Sequence, residues 1–245
     1  MSAALLEVTN LSKRFGGFVA LDGVSLSVAK GQRVGLIGPN GSGKSTLVNC
    51  ICGTLHNEAG SVHFEGEALD GMVAHERTHR GVARSFQLPR PFVTLTVADN
   101  LRVPLLYTAH VRRGGHLTVA EANDRCAELL GLVGLADKGQ KSPKELTQIE
   151  MRKLELARAM AAEPKLLIAD EAMAGLSQSE VNDIVALLIN LNERGITIIL
   201  IEHIMRAVMS FSQRLVVLVS GKKIADGDPQ EVVQHPEVVG AYLGQ

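Results

Sequence analysis

Residues 34–45 read VGLIGPNGSGKS. An apolar run of strand type enters a glycine-rich loop, and the loop ends in a lysine and a serine at the head of a helical pattern. Few short stretches restrict a fold so strongly. The pattern G-x-x-x-x-G-K-[ST] needs a strand before it and a helix after it, so that backbone N–H groups turn inward around phosphate oxygens. Gly38, Pro39, Asn40, Gly41, Ser42 and Gly43 form the loop; Lys44 adds a full positive charge, and Ser45 and Thr46 open the helix. The helix dipole adds to the attraction for an anion. A helix is expected from Gly43 to about Cys52, ended by Gly53 in the C′ position.

A phosphate loop of this kind requires a buried parallel sheet, and the sequence supplies candidates. Leu166-Leu167-Ile168-Ala169 and Ile196–Ile201 are apolar on both faces, as central parallel strands are. Between them, Ser177-Gln178-Ser179-Glu180 is a capping box, followed by Val181, Ile184, Val185, Leu188 and Leu191 at helical spacing and then Gly195. Strand, helix, strand in that order is a βαβ unit. From about Leu88 to Ala162 the pattern changes. Pro89, Pro91 and Gly114-Gly115 separate helical stretches such as Thr96–Leu105 and Thr118–Leu130, which predicts a helical subdomain, 88–162, inserted in the core. Residues 1–30 and 61–66 alternate as short strands of an antiparallel sheet. Asp228-Pro229 starts one more helix. The expected fold is α/β: a P-loop NTPase core with a mostly parallel sheet, an N-terminal antiparallel β subdomain and an inserted helical subdomain, all in one domain spanning 1–245.

Composition narrows the function classes. With 25 basic and 26 acidic residues the chain offers no broad electrostatic footprint for nucleic acid. Cys50, Cys52 and Cys126 lack the spacing of a zinc site and read as reduced thiols of a cytosolic protein. The first ten residues lack the pattern of a signal peptide, and no apolar run reaches membrane-spanning length, so a membrane role is expected only through a partner.

Asp170 and Glu171 follow the strand Leu166–Ala169. Alone they read equally as a strand ending in two solvated acids. Beside a phosphate loop, Asp170 is placed to hold Mg²⁺ through water, and Glu171 to orient or deprotonate an attacking water. His203, after ITIILIE, has a γ-phosphate within reach of its strand end, although a lone histidine there is more often structural.

Taken together, these segments resemble the ATP-binding subunit of an ABC transporter along nearly the whole chain. The resemblance implies ATP and Mg²⁺ as ligands. It implies an aromatic residue stacked on adenine, matching Phe15 in KRFGG with Phe18 as the nearby alternative. The family's glutamine switch matches Gln87 in ARSFQ, its switch histidine matches His203, and the loop after the catalytic glutamate matches Ala174-Gly175-Leu176-Ser177. Gln87 and His203 thereby join Glu171 as catalytic candidates, and Gln87 joins Ser45 and Asp170 around the metal. GVARSFQ, TVADNL, RKLELARAMA and the ending GDPQEVVQHPEVVGAYLG are similar to the larger of two ATPases in branched-chain amino-acid importers, whose relatives also move amides, urea or aromatic acids. The partners so implied are a second ABC ATPase, two transmembrane permeases and, indirectly, a periplasmic solute-binding protein, at the cytoplasmic face of a bacterial inner membrane. A regulatory ATP-binding subunit and a soluble, non-transport ABC ATPase are the alternatives.

Three departures stand out. Ala172 replaces the family's proline after the glutamate, Ile204 follows His203 where aspartate is common, and LTQIE (146–150) aligns with the signature LSGGQ. In the family that signature completes the partner subunit's nucleotide site. Thr147 keeps a hydroxyl, and Thr147 to Glu150 is a complete capping box. Gln148 and Ile149, however, stand where glycines approach the phosphate, and Glu150 adds a negative charge. A like charge at ~4 Å costs about 4 kcal/mol at an effective dielectric of about 20, less if the side chain turns away. The expectation is a site that holds ATP and hydrolyses it poorly, and hence an unlike partner. The wall that would receive a permease helix is expected at Gln87–Phe92, with Leu88/Phe92 and Val93/Leu95 either facing that helix or packed in the core.

Overall fold

The computed structural model describes residues 4–86, 89–109 and 117–243. Two sheets make the frame. Strands β1 (Ala4–Phe15), β2 (Phe18–Ala29), β4 (Ala59–Phe64) and β5 (Glu67–Ala68) form an antiparallel sheet in the order β2-β1-β4-β5. Its first two strands are 12 residues each, longer than their broken alternation implies, because register shifts let one hairpin run on through several irregularities.

The second sheet has the order β10-β9-β3-β8-β7-β6. Here β3 is Arg33–Ile37, β6 Val82–Ser85, β7 Leu166–Asp170, β8 Thr197–Ile201, β9 Arg214–Val219 and β10 Lys222–Gly227. Pairing is parallel from β6 through β9, and β10 returns antiparallel along the edge. Every residue of β7 and β8 is buried, as their apolar runs require. Their alternate residues enter two cores. Leu166, Ile168, Ile199 and Ile201 pack toward the antiparallel sheet and helix α1 (Lys44–Cys52). Leu167, Ala169, Ile198 and Leu200 pack toward the helices on the other face. The sheet is thus covered on both sides, which a parallel sheet needs.

Helix ends follow local chemistry. Gly53, at φ 73°, ends α1 and donates to the carbonyls of Asn49 and Cys50. Helix α2 (Ala74–Arg80) precedes β6 and is not evident in the sequence pattern. Between β6 and β7 come α3 (Val97–Pro104, capped by Thr96), a π-helical turn Leu105–Ala109, α4 (Val119–Leu132, capped by Thr118) and α5 (Gln148–Ala161, capped by Thr147). Pro104 closes α3 one residue short of the expected Leu105. Helix α6 (Gln178–Glu193) starts at the Ser177 capping box and joins β7 to β8. The helix expected at Asp228-Pro229 is a single turn, Pro229–Val232. No helix among the described residues is long and apolar enough to cross a membrane. The cysteines are unpaired, and burial pushes the Cys50 thiol up to about 11.

Candidate functional site

The site lies where β3, β7 and β8 end. The loop after β3 is held by close backbone packing. A Cβ on Gly43, at φ 103°, would stand 2.6 Å from the Ala20 carbonyl oxygen, and one on Gly38 would collide with the Leu218 carbonyl. Only glycine lets β2 and β9 approach the loop this closely. Lys44 Nζ folds over the loop, donating to the carbonyls of Gly38 (2.7 Å) and Pro39 (3.0 Å) and to Ser42 Oγ (3.3 Å). Burial lowers the Lys44 pKa, while the charges of Glu171 and Asp170 oppose that shift. The ammonium is buried against carbonyl dipoles with no carboxylate among the described residues bonded to it, so an arriving polyphosphate would find an available charge. Ser45 lies exposed at the start of α1.

Asp170 closes β7 and is 6% exposed. Glu171 follows at φ 46°, a left-handed conformation uncommon outside glycine. That turn carries its carboxylate to the end of β8, where Oε1 lies 2.9 Å from His203 Nε2. The two sequence-expected groups are therefore hydrogen-bonded partners. Glu202, buried beside them, accepts from the backbone N–H of Met173 (2.8 Å), which pins the loop after Glu171. Burial raises the Glu202 pKa, and those backbone donors work against the rise.

Phe15 and Phe18 face each other across the β1–β2 turn, 50% and 61% exposed. Two residues after Phe18, the Ala20 carbonyl touches Gly43, so the hairpin flanks the phosphate loop. Gln87 lies outside the described residues, as does Leu88.

At the LTQIE segment the capping box forms: the Thr147 hydroxyl accepts from Glu150 N–H, and Glu150 accepts from Thr147 N–H at 2.9 Å. Gln148 and Ile149 turn their side chains onto neighbouring protein groups, while Glu150 stays on the cap. Gln148 Nε2 donates to the Ala174 carbonyl at 3.4 Å and lies against Gly175. Ile149 packs against the core of the helical layer. The other Glu150 oxygen meets Lys138 Nζ at 2.8 Å. Lys138 and the Thr147 backbone hold the Glu150 pKa down to about 2. Its charge is therefore permanent but locally balanced, so the repulsion expected from an isolated carboxylate is much reduced. Arg152, on the next turn, also donates to the Ala174 carbonyl, at 3.0 Å. Sequence reading missed Lys138, Arg152 and Glu202, because each acts through a partner distant in the chain.

The family profile described as "ABC transporter" matches residues 21–174, and one described as "Branched-chain amino acid ATP-binding cassette transporter" matches 222–245. The chain belongs to the ABC transporter family. It is an ATP-binding and ATP-hydrolysing subunit. The high-affinity branched-chain amino acid transport ATP-binding protein BraF of Pseudomonas aeruginosa is 38% identical over 258 aligned positions, covering 100% of both chains. The crystal structure of a nucleotide-free ATP-binding cassette from an ABC transporter matches with a TM-score of 0.88 at 32% identity, over 99% of this chain and 100% of that one. A dimeric ATP-binding cassette bound to ADP and phosphate matches at 0.81 and 25% identity, over 91% and 98%. The ABC fold implies ATP and Mg²⁺, and the residues fit both. Gly38 and Gly43 hold the loop where a Cβ would strike the Leu218 and Ala20 carbonyls, Lys44 lies across it, and Ser45 and Asp170 offer the hard oxygen donors that Mg²⁺ takes. Among the described residues no cluster of three or more His, Cys, Asp or Glu would hold a metal unaided.

Proposed function

We propose that this subunit powers uptake of branched-chain amino acids, or of chemically related small amides, urea or aromatic acids, as one of two unlike ATPases at the cytoplasmic face of the inner membrane. The observation that carries the substrate class is the end-to-end likeness to BraF, supported by the C-terminal profile match. Lys44 and the loop Gly38–Thr46 take the phosphates, Phe15 or Phe18 takes the adenine face, and Ser45, Gln87 and Asp170 serve Mg²⁺. When bound, Mg²⁺ would supply neutralisation of the developing phosphate charge. Glu171 accepts a proton from the attacking water, and His203, hydrogen-bonded to it, holds the carboxylate toward the strand ends.

Two transmembrane permeases and, through them, a periplasmic solute-binding protein complete the proposed assembly. A groove of about 360 Å³ beside β6 supports this reading. Phe86, Phe92, Val103 and Tyr107 line it, all more than 40% exposed, with Arg158 stacked on Phe92. An apolar cleft with a charged rim suits a short amphipathic helix. Phe92 and Val93, which on sequence alone belong equally to core or surface, are exposed.

Unlike partners are favoured by the LTQIE segment. The side chains of Gln148 and Ile149 turn onto neighbouring protein groups, but both residues open the helix, and their Cβ atoms stand at the positions that the family's glycines hold against a phosphate. A homodimer would repeat that defect twice. The test is steady-state ATPase of the purified chain alone and with the second ATPase encoded beside it. Slow hydrolysis alone and fast hydrolysis together is the expected result; fast, cooperative turnover by the chain alone would overturn the unequal-site reading. Leucine uptake by vesicles holding the whole complex tests the substrate class, and uptake of urea or amides alone would reassign it.

A further inference from the structure

Arg84 lies inside this site, in the GVARSFQ stretch, with no role yet assigned. It sits on β6 in register with Ile168 of β7, and its side chain runs along the sheet to the end of the neighbouring strand. There Nη2 meets Asp170 Oδ2 at 2.5 Å, and Nη1 donates to Asn49 Oδ1 at 2.7 Å. The guanidinium rests on the Phe86 ring, 5.4 Å from its centroid. Both members of the ion pair are largely buried, with side chains 15% and 8% exposed. No other hydrogen bond among the described residues reaches the Asp170 carboxylate.

Asn49 is one helical turn after Ser45 on α1, so the guanidinium ties together the two elements whose oxygens serve the metal. A cation is already seated on Asp170. Locally three carboxylates, Asp170, Glu171 and Glu202, face three cations, Lys44, Arg84 and Arg152. A divalent ion entering alone would leave a surplus of positive charge. One entering with a nucleotide brings its own anion. The seat is also imperfect, because Arg84 Nε is buried with no hydrogen-bond partner among the described residues. Such a group costs free energy where it stands and can be dislodged more readily than a fully bonded one.

We propose that Arg84 is a positioning residue that acts as an internal counter-cation: it occupies Asp170 until nucleotide arrives, and so makes divalent-metal binding conditional on ATP. The proposal rests on Asp170 serving the metal, and the experiment separates the two claims. Mn²⁺ binding to the intact chain is followed by loss of the free-ion electron paramagnetic resonance signal, without nucleotide and with a non-hydrolysable ATP analogue. Wild type is expected to bind Mn²⁺ weakly without nucleotide. R84Q should bind it about tenfold more tightly, a discounted share of one unit charge near contact in an effective dielectric of about 20. R84K, which keeps the charge, should stay close to wild type, and R84Q/D170N should lose the gain.

Unchanged nucleotide-free Mn²⁺ affinity in a folded R84Q protein would overturn the proposal. Should R84Q not fold, N49A, which removes one acceptor and leaves the charge in place, is expected to tighten Mn²⁺ by about two- to threefold, because the guanidinium loses one neutral hydrogen bond that holds it on Asp170. No change there would equally overturn it. If D170N leaves Mn²⁺ affinity in the presence of the analogue unaltered, the assignment of Asp170 to the metal fails instead.

Discussion

Replacing Glu171 by glutamine separates chemistry from architecture at this site. Glutamine keeps the side-chain volume, and it can meet His203, 2.9 Å from the native carboxylate oxygen, with either amide atom. The left-handed backbone at φ 46° is no harder for glutamine than for glutamate. On the proposed assignment, phosphate contacts belong to Lys44 and the glycine loop, on a different element. The component lost under the proposed mechanism is the proton acceptor, and a positioned general base contributes about 10²–10⁴-fold. At about 1.4 kcal/mol per tenfold, the barrier rises by about 3–5 kcal/mol. ATPase turnover of the complete transporter should fall at least ~100-fold on that scale, while ATP affinity moves little. Rapid-quench single-turnover hydrolysis, with nucleotide retention on a size-exclusion column, reads both quantities. The expected variant retains ATP in a closed dimer. Turnover within threefold of wild type, on the scale of a general base worth about 10²-fold or more, would refute the role of Glu171.

Two further expectations concern the LTQIE segment. Gly175→Ala forces a left-handed alanine at φ 79° and places its Cβ 2.5 Å from Gln148 Nε2. A loss of about 1–2 kcal/mol in chemical denaturation is expected from the backbone alone. Adding Gln148→Ala should recover only the steric part. Full recovery in the double variant would mean that the backbone is not strained there. Glu150→Gln tests the pH dependence. The folded-state pKa of Glu150 is depressed to about 2, so its contribution is complete above the unfolded carboxylate pKa and disappears as pH falls through that lower value. Thermal unfolding should show E150Q less stable than wild type at pH 7, with the two converging as the pH approaches about 2. A gap that stays constant across that range would remove the Lys138 pair from the account.

Much of this protein was legible before any coordinates, because its key segments carry local rules. A glycine-rich turn between an apolar strand and a helix has one main physical use, and residues 34–52 follow it. Leu166–Asp170 and Thr197–Ile201 are apolar at every position but their ends, so only a sheet covered on both faces can hold them. Thr96, Thr118, Thr147 and Ser177 fix helix starts through bonds that span three residues. Arg84 was visible in the sequence but mute. Nothing near it announces that its guanidinium ends on a carboxylate 86 residues later in the chain.

The sequence by itself determined the strand–loop–helix core, the capped helix at Thr147 and the identity of the acids at the end of β7. The tertiary structure decided how those groups are disposed: Glu171 on His203, Asp170 on Arg84, Glu150 on Lys138, and Gln148 laid against Gly175. The division has a physical cause. Helix caps and glycine turns are settled by backbone sterics and hydrogen bonds a few residues long. A charged side chain takes whichever counter-charge the packed sheets bring within reach, and that depends on contacts between residues distant in sequence.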